Sequence, residues 1–159
     1  MTKSDVLITL QNAGLDVLTC MQCGTCSSSC PSGRYTSLNT RRIVRGVRVG
    51  RDILHDEDLW MCTTCYTCQE RCPREIKIAD TILEIRTIAV HKGIMLPAHR
   101  KVSQLVLEYG HAVPINDDVK NKREKLGMDP IPGTVHRYPE ALADVQTILQ
   151  SCEFDKLVA

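Results

Sequence analysis

Apolar residues recur along this chain with the period of a helix, and nowhere with the sustained alternation of a half-buried strand. Val6, Leu7 and Leu10 share one face of a short segment predicted to begin after Ser4 and to stop near Asn12 and Gly14. A second helix is predicted with Ser37 as N-cap, burying Leu38, Val44 and Val47 and ending before Gly50. The clearest helix runs from Ala79 to Lys92: Ile82, Ile85 and Ala89 fall at i, i+3 and i+7, Leu83 widens the stripe, and Gly93 stands where a C-terminal glycine belongs. A fourth begins at Pro97, a favoured first-turn residue, turns Val102, Leu105, Val106 and Tyr109 inward, and stops at Gly110. Asn116 then has the place of an N-cap, with Asp117 and Asp118 in the first turn and Lys122, Arg123 and Lys125 near the end, which suits the helix dipole. Its polarity predicts a solvated surface helix. Residues 128–138, with Pro130, Pro132 and Gly133, read as an irregular loop. Helical spacing resumes from Pro139 to Gln150 through Leu142, Val145 and Leu149. The fold class is all-α.

Composition narrows the interior. Of 159 residues, 43% are hydrophobic but only 4% aromatic, with one Phe and one Trp, so something other than large rings must fill much of the core. Inorganic clusters can supply that bulk. Lys and Arg number 20 against 19 for Asp and Glu, which leaves no broad basic surface for nucleic acid. No run of about 18 apolar residues is present, so no segment inserts directly into a membrane. The opening MTKSDVLITLQNAG is too short and interrupted in its apolar stretch for a secretory signal, and a cytoplasmic location is expected.

Chemistry is concentrated in the cysteines. Eight of the nine form two blocks, Cys20, Cys23, Cys26, Cys30 before Pro31 and Cys62, Cys65, Cys68, Cys72 before Pro73. Both read C-x2-C-x2-C-x3-C-P, a duplication of cysteine spacing rather than of the whole sequence. Structural zinc needs two separated C-x2-C pairs and no third cysteine at the same short interval. Disulfides fit neither the odd count nor the absence of an export signal. A 4Fe-4S cubane does fit, because its four thiolates must be spread around a body much larger than one ion. In two-cluster ferredoxins with this run the fourth cysteine ligates the other cluster. Applied here, that rule assigns Cys20, Cys23, Cys26 and Cys72 to cluster 1, and Cys62, Cys65, Cys68 and Cys30 to cluster 2. Each cluster then staples the two loops together, and the pair lies close enough for an electron to pass between them.

Other candidates carry less. Cys152 lies after the last predicted helix, outside both blocks, and reads as a packed free thiol. Arg41, Arg45 and Arg48 line one helical face, and the plain reading is a solvated stripe. The functional one is that they, with Arg71, Arg74 and Lys77, raise the cluster potential or dock an acidic partner. Trp60 reads as core packing over the cluster rather than an electron relay. The histidines show no H-x-E or H-E-x-x-H spacing, and no glycine-rich nucleotide or flavin cradle and no nucleophile–base pair is evident. The chain is expected to move electrons for other subunits and to have no catalytic residue of its own.

The segments CMQCGTCSSSCPSG and LWMCTTCYTCQERCPREIKIAD resemble the C subunit of heterodisulfide reductase from methanogenic archaea, and the likeness extends over nearly the whole chain. The resemblance implies an α-helical ferredoxin fold with two 4Fe-4S cluster-binding loops and additional C-terminal helices. Residues 1–95 would form the two-cluster domain, and 96–159 a helical extension that packs on it or docks partner subunits. In that family this small subunit passes electrons from a flavin-bearing, electron-bifurcating subunit to a heterodisulfide-reducing subunit, whose substrate is the mixed disulfide of coenzyme M and coenzyme B. The reducing subunit works at clusters bound by motifs with adjacent cysteines, and this chain has no Cys-Cys pair. A separate chain of this kind without a membrane segment is similar to the soluble cytoplasmic form, which in some methanogens associates with a nickel-iron hydrogenase. Two alternatives stay open: a relay subunit of a related complex with another substrate, and a free ferredoxin-type shuttle.

Overall fold

The computed structural model describes residues 3–158, with side chains from residue 5 onward; Met1, Thr2 and Ala159, at the outer ends of the two expected domains, lie outside them. Every regular element among these residues is helical and none is a strand. The chain divides into two compact units, Met1–Ile94 and Met95–Ala159.

The first unit contains α1 (Lys3–Asn12), α2 (Thr25–Ser28), α3 (Thr40–Arg48), α4 (Thr67–Glu70) and α5 (Ile78–His91), with 3-10 turns at Ser32–Arg34 and Glu57–Met61. Helix α1 takes in Ser4 rather than starting after it. α5 is the central element, packed against α1, α3, α4 and the turn at Glu57–Met61. Its Ile82, Ile85 and Ala89 are fully buried, and each isoleucine contributes about 2 kcal/mol of transfer free energy. Leu83 does not widen the stripe as expected: it is 38% exposed. Each helical step turns about 100°, and Leu83 falls on the side away from the stripe centred on Ile82, Ile85 and Ala89. The core is aliphatic, with Leu10, Ile43, Ile53 and Leu59 among its largest fully buried side chains.

The start of α3 differs from the sequence expectation by two residues. The N-cap is Asn39, whose Oδ1 accepts from the Arg42 N–H at 3.0 Å, and not Ser37. Leu38 is buried just ahead of that cap, and Ile43 is buried in the first turn beyond it, the two positions of a hydrophobic staple. Burying Leu38 outside the helix fixes where the helix can begin. Between α3 and the second cysteine block, the buried Asp58 pairs with Arg42, and Arg51 reaches Asp56 at 2.8 Å. The Ser32 hydroxyl donates to the Met61 carbonyl at 2.6 Å, tying the end of one cysteine block to the approach of the other.

The second unit contains α6 (Pro97–Tyr109), α7 (Asp117–Lys125), α8 (Pro139–Ser151) and α9 (Phe154–Val158). Proline opens both α6 and α8, and Gly110 ends α6 in the left-handed region at φ 62°. Asn116 caps α7 as expected, accepting from Val119 N–H at 2.9 Å. α6, α8 and α9 pack on one another, with Gln146 donating to the Leu107 carbonyl and Gln104 to that of Val158. Val102, expected to face inward on α6, is 44% exposed, while Leu105, Val106 and Tyr109 are half-buried. α9 has no counterpart among the expected helices: five residues are too few to show a period. Among the described residues of this unit only Pro132 and Val158 are buried.

Candidate iron–sulfur site

The two cysteine blocks fold into two copies of one loop. The second residue after the first cysteine, Gln22 or Thr64, has φ 59° or 51°, and the fourth, Gly24 or Tyr66, has φ 86° or 61°. Three of these four carry a side chain in a region that only glycine enters without strain. A single helical turn follows, α2 or α4, and buries the third cysteine, Cys26 or Cys68. The reversals turn backbone donors toward sulfur. Gln22 N–H points at Cys20 Sγ (3.4 Å) and Thr64 N–H at Cys62 Sγ (3.5 Å), while Thr25 and Thr67 hydroxyls stand 3.4 and 3.5 Å from Cys23 and Cys65 Sγ. Gly33 N–H adds a donor to Cys30 Sγ at 3.3 Å.

The likeness continues past the loops, so it is more than the spacing of cysteines. At the seventh residue after the first cysteine, Ser27 Oγ accepts from Arg41 N–H (3.0 Å), and Gln69 Oε1 accepts from Ala79 N–H (3.2 Å). These amides are the second residues of α3 and α5. Each loop therefore caps the helix that follows it. Each helix then reaches back. Arg48 and Arg86, both eight positions after the first residue of their helices, donate to the carbonyls of Cys20 and Cys62, in each case from Nη at 2.7 Å.

Two cavities open among the thiols. One is lined by Cys20, Cys23, Cys26 and Cys72. The other is lined by Cys30, Cys62, Cys65 and Cys68. Each thus gathers three cysteines of one block and the last of the other. Among the described residues no three His, Cys, Asp or Glu side chains converge on a point that could hold a single metal ion. Thiols spread around a space suit a polynuclear cluster better than zinc.

The electrostatics point the same way. The Thr25 hydroxyl holds the exposed Cys23 thiol below its ordinary range, and Thr67 does so for Cys65. Cys68 is pushed up to about 12, first by burial and then by the charges of Cys62, Cys26, Cys30 and Cys65. A thiol so burdened by burial and neighbouring charge is one that a bound positive centre would have to compensate.

A family model described as a 4Fe-4S dicluster domain matches residues 16–76, the stretch that holds all eight block cysteines. The chain is 61% identical to the C subunit of the ferredoxin:CoB-CoM heterodisulfide reductase of Methanosarcina mazei, over 99% of this chain and 98% of that protein. It is 51% identical to the iron-sulfur C subunit of the CoB–CoM heterodisulfide reductase of Methanopyrus kandleri, over 91% of this chain and 76% of the other. With the C subunit of the H2:CoB-CoM heterodisulfide, ferredoxin reductase of Methanothermobacter marburgensis the identity is 48%, over 94% and 82%. The chain belongs to the family of heterodisulfide reductase C subunits.

The remaining sequence candidates fall into place around this iron–sulfur core. The arginine stripe of α3 is not simply solvated: besides Arg48 on Cys20, Arg41 Nη1 reaches the Gln22 carbonyl at 3.4 Å, and Arg45 is exposed, with no such contact among the described residues. Arg41 and Arg74 also line the first cavity, while Arg71 and Lys77 are exposed. Trp60 is half-buried against the core and lines neither cavity. Cys152 is exposed rather than packed, its thiol donating to the Leu149 carbonyl at 3.2 Å. It stands at the C-cap of α8. No helix among the described residues is long and apolar enough to cross a membrane.

Arg86 escaped the sequence reading. Its Nε donates to the Leu59 carbonyl at 2.9 Å, its Nη2 to that of Cys62, and its guanidinium carbon lies 5.8 Å from the centroid of the Trp60 ring. Burial lowers its pKa from the ordinary value, against the opposing pull of the Cys62 thiolate. The one available signal was its register with Arg48 in the helix after each block.

Proposed function

We propose that the chain is an electron-transfer subunit holding two 4Fe-4S clusters, the first on Cys20, Cys23, Cys26 and Cys72, the second on Cys30, Cys62, Cys65 and Cys68. It relays electrons in the cytoplasm from a flavin-bearing subunit to the one that reduces the coenzyme M–coenzyme B heterodisulfide. The observation that carries this reading is the exchange of the last cysteine between the two thiol-lined cavities. Each cluster, when bound, takes up and releases one electron at a time.

The chain's own residues do the rest. Eight thiolates hold iron, and the N–H groups of Gln22, Thr64 and Gly33 donate to sulfur and offset its negative charge. Cys26, a ligand of one cluster, and Cys30, a ligand of the other, lie on one turn of backbone running out of α2. A short covalent bridge therefore spans the two redox sites. The ninth cysteine, Cys152, is a lining residue of neither cavity and is assigned to neither cluster, and this reading gives the chain a relay role with no catalytic residue of its own.

The names of the relatives couple the CoB-CoM heterodisulfide to ferredoxin in one case and to H2 with ferredoxin in another, which supports the substrate and makes a hydrogenase a partner to test. Residues 96–159 serve to dock partner subunits. What supports this is the scarcity of buried residues there and the exposure of Val102, Leu126, Tyr138 and Ile148.

Anaerobic isolation from native extract tests the assignment. The expected result is co-purification with a flavoprotein and heterodisulfide-reducing activity, about eight irons per chain, and EPR signals of two interacting clusters on reduction. Zinc or a single cluster would overturn it. A chain purifying alone, with two clusters but no flavoprotein, would instead identify a diffusing ferredoxin.

A further inference from the structure

Resting on the two-cluster reading, we propose that Arg48 and Arg86 are a matched pair of positioning residues, each setting the reduction potential of one cluster. Each guanidinium binds the carbonyl of the first cysteine of a block, Arg48 that of Cys20 and Arg86 that of Cys62, at 2.7 Å. Both side chains are half-buried. Among the described residues neither has a carboxylate within ion-pair distance, although Arg42 and Arg51 on the same side of the sequence do. A half-buried cation without a carboxylate is under-compensated, and each of these is held one hydrogen bond from the backbone of a residue whose thiolate would carry a cluster.

The oxidised cluster with four thiolates is already anionic, and reduction adds one more negative charge. A fixed guanidinium one hydrogen bond from the ligand's backbone favours the reduced form and raises the potential. Arg86 is the more firmly held of the two. Its planar fork spans the Leu59 and Cys62 carbonyls, and Trp60 lies beneath it. The same contacts fix the main chain at Cys62, so the side chain acts through the ligand and touches no substrate.

The cation is not required for thiolate ligation as such, which separates charge from fold. Arg86→Gln keeps an N–H donor but removes the charge; Arg86→Lys keeps the charge but loses the fork. The experiment is an anaerobic potentiometric titration of the full chain followed by EPR, with iron and sulfide measured on each sample. Arg86→Gln is expected to keep about eight irons and to weaken reduction of one cluster about tenfold, which for one electron is about 59 mV. The other cluster stays unchanged. Arg48→Gln is expected to do the same to the other cluster only, and Arg86→Lys to retain both wild-type midpoints within about half that shift.

Wild-type midpoints in the iron-replete Gln variants would overturn the proposal, as would both variants shifting the same cluster. If Arg86→Gln loses iron, Arg86→Lys decides: full iron and kept midpoints support the role of charge, and loss of iron in both assigns the side chain to folding and overturns it. Absence of two clusters from the wild-type chain would refute the underlying reading, an outcome visible before any variant is made.

Discussion

Gly33 donates its backbone N–H to Cys30 Sγ at 3.3 Å, and it can do so only because it lacks a side chain: a Cβ there would stand 2.6 Å from the Leu38 carbonyl oxygen. Leu38 cannot give way easily, since it is buried ahead of the Asn39 cap. Gly33→Ala is therefore expected to cost about 1–3 kcal/mol of overpacking strain and to loosen Cys30. Anaerobic thermal unfolding of the cluster-loaded chain, with iron counted on the same sample, checks both effects. An alanine variant with wild-type unfolding would show that this close approach is not tight in solution.

Cys30→Ser bears on the exchange of ligands directly. It removes a thiol from the cavity that holds Cys62, Cys65 and Cys68, and leaves the one with Cys20, Cys23, Cys26 and Cys72 intact. The expected outcome is loss or conversion of one cluster, and the same EPR signal should be lost in Cys65→Ser. If Cys30→Ser instead alters the signal that Cys23→Ser alters, each block serves its own cluster.

Gln69 joins the second loop to the central helix by three bonds: Oε1 accepts from Ala79 and Asp80, and Nε2 donates to Asp80 Oδ2 at 3.0 Å. Lys77, the residue before α5, supplies no side-chain cap. Gln69→Ala is expected to destabilise the first unit by about 1 kcal/mol, the usual effect of losing an N-cap acceptor. Gln69→Glu should be worse than its isosteric shape implies, because a second carboxylate would then face Asp80. Unfolding midpoints of the two variants, compared under anaerobic conditions, give the order.

The Tyr66 hydroxyl donates to Asp80 Oδ1 at 3.0 Å, and this bond, then the negative charge of Asp80, raises the phenol above its ordinary value. An acid whose folded pKa is raised lends stability in its protonated form. That stability is complete below the unfolded value of about 10 and is lost as pH climbs through the higher folded value. Tyr66→Phe is expected to unfold at a lower temperature than wild type at neutral pH, with the gap closing at strongly alkaline pH. A gap that persisted unchanged across that window would exclude the hydroxyl as its source.

Particular residues show what a linear reading can and cannot reach. Ile82, Ile85 and Ala89 declared their helix because burial on a regular helix writes its period into the sequence, and Pro97, Gly110 and Asn116 marked ends because their effects act within a few residues. Leu83 and Val102 misled, since hydrophobicity states what a residue tolerates and not which neighbour covers it. Arg86 looked like an ordinary cation on an amphipathic helix, yet its partners lie 24 and 27 residues upstream. Ser27 and Gln69 gave no sign of sharing a task, because a hydroxyl and an amide look unrelated until both are seen accepting from the second amide of a following helix.

By itself, then, the order of residues determined an all-helical chain with two like-spaced sets of four thiols, since helix period and loop spacing are local properties of the backbone. The same spacing, read with the rule for two-cluster ferredoxins, assigned Cys72 to Cys20, Cys23 and Cys26 and Cys30 to Cys62, Cys65 and Cys68, the sets that line the two cavities. The tertiary structure alone decided that an arginine from each following helix grips each loop and that Ser27 and Gln69 cap those helices. Those relations depend on how α3 and α5 pack around one core. Packing is a property of the whole folded unit that no single stretch of chain encodes.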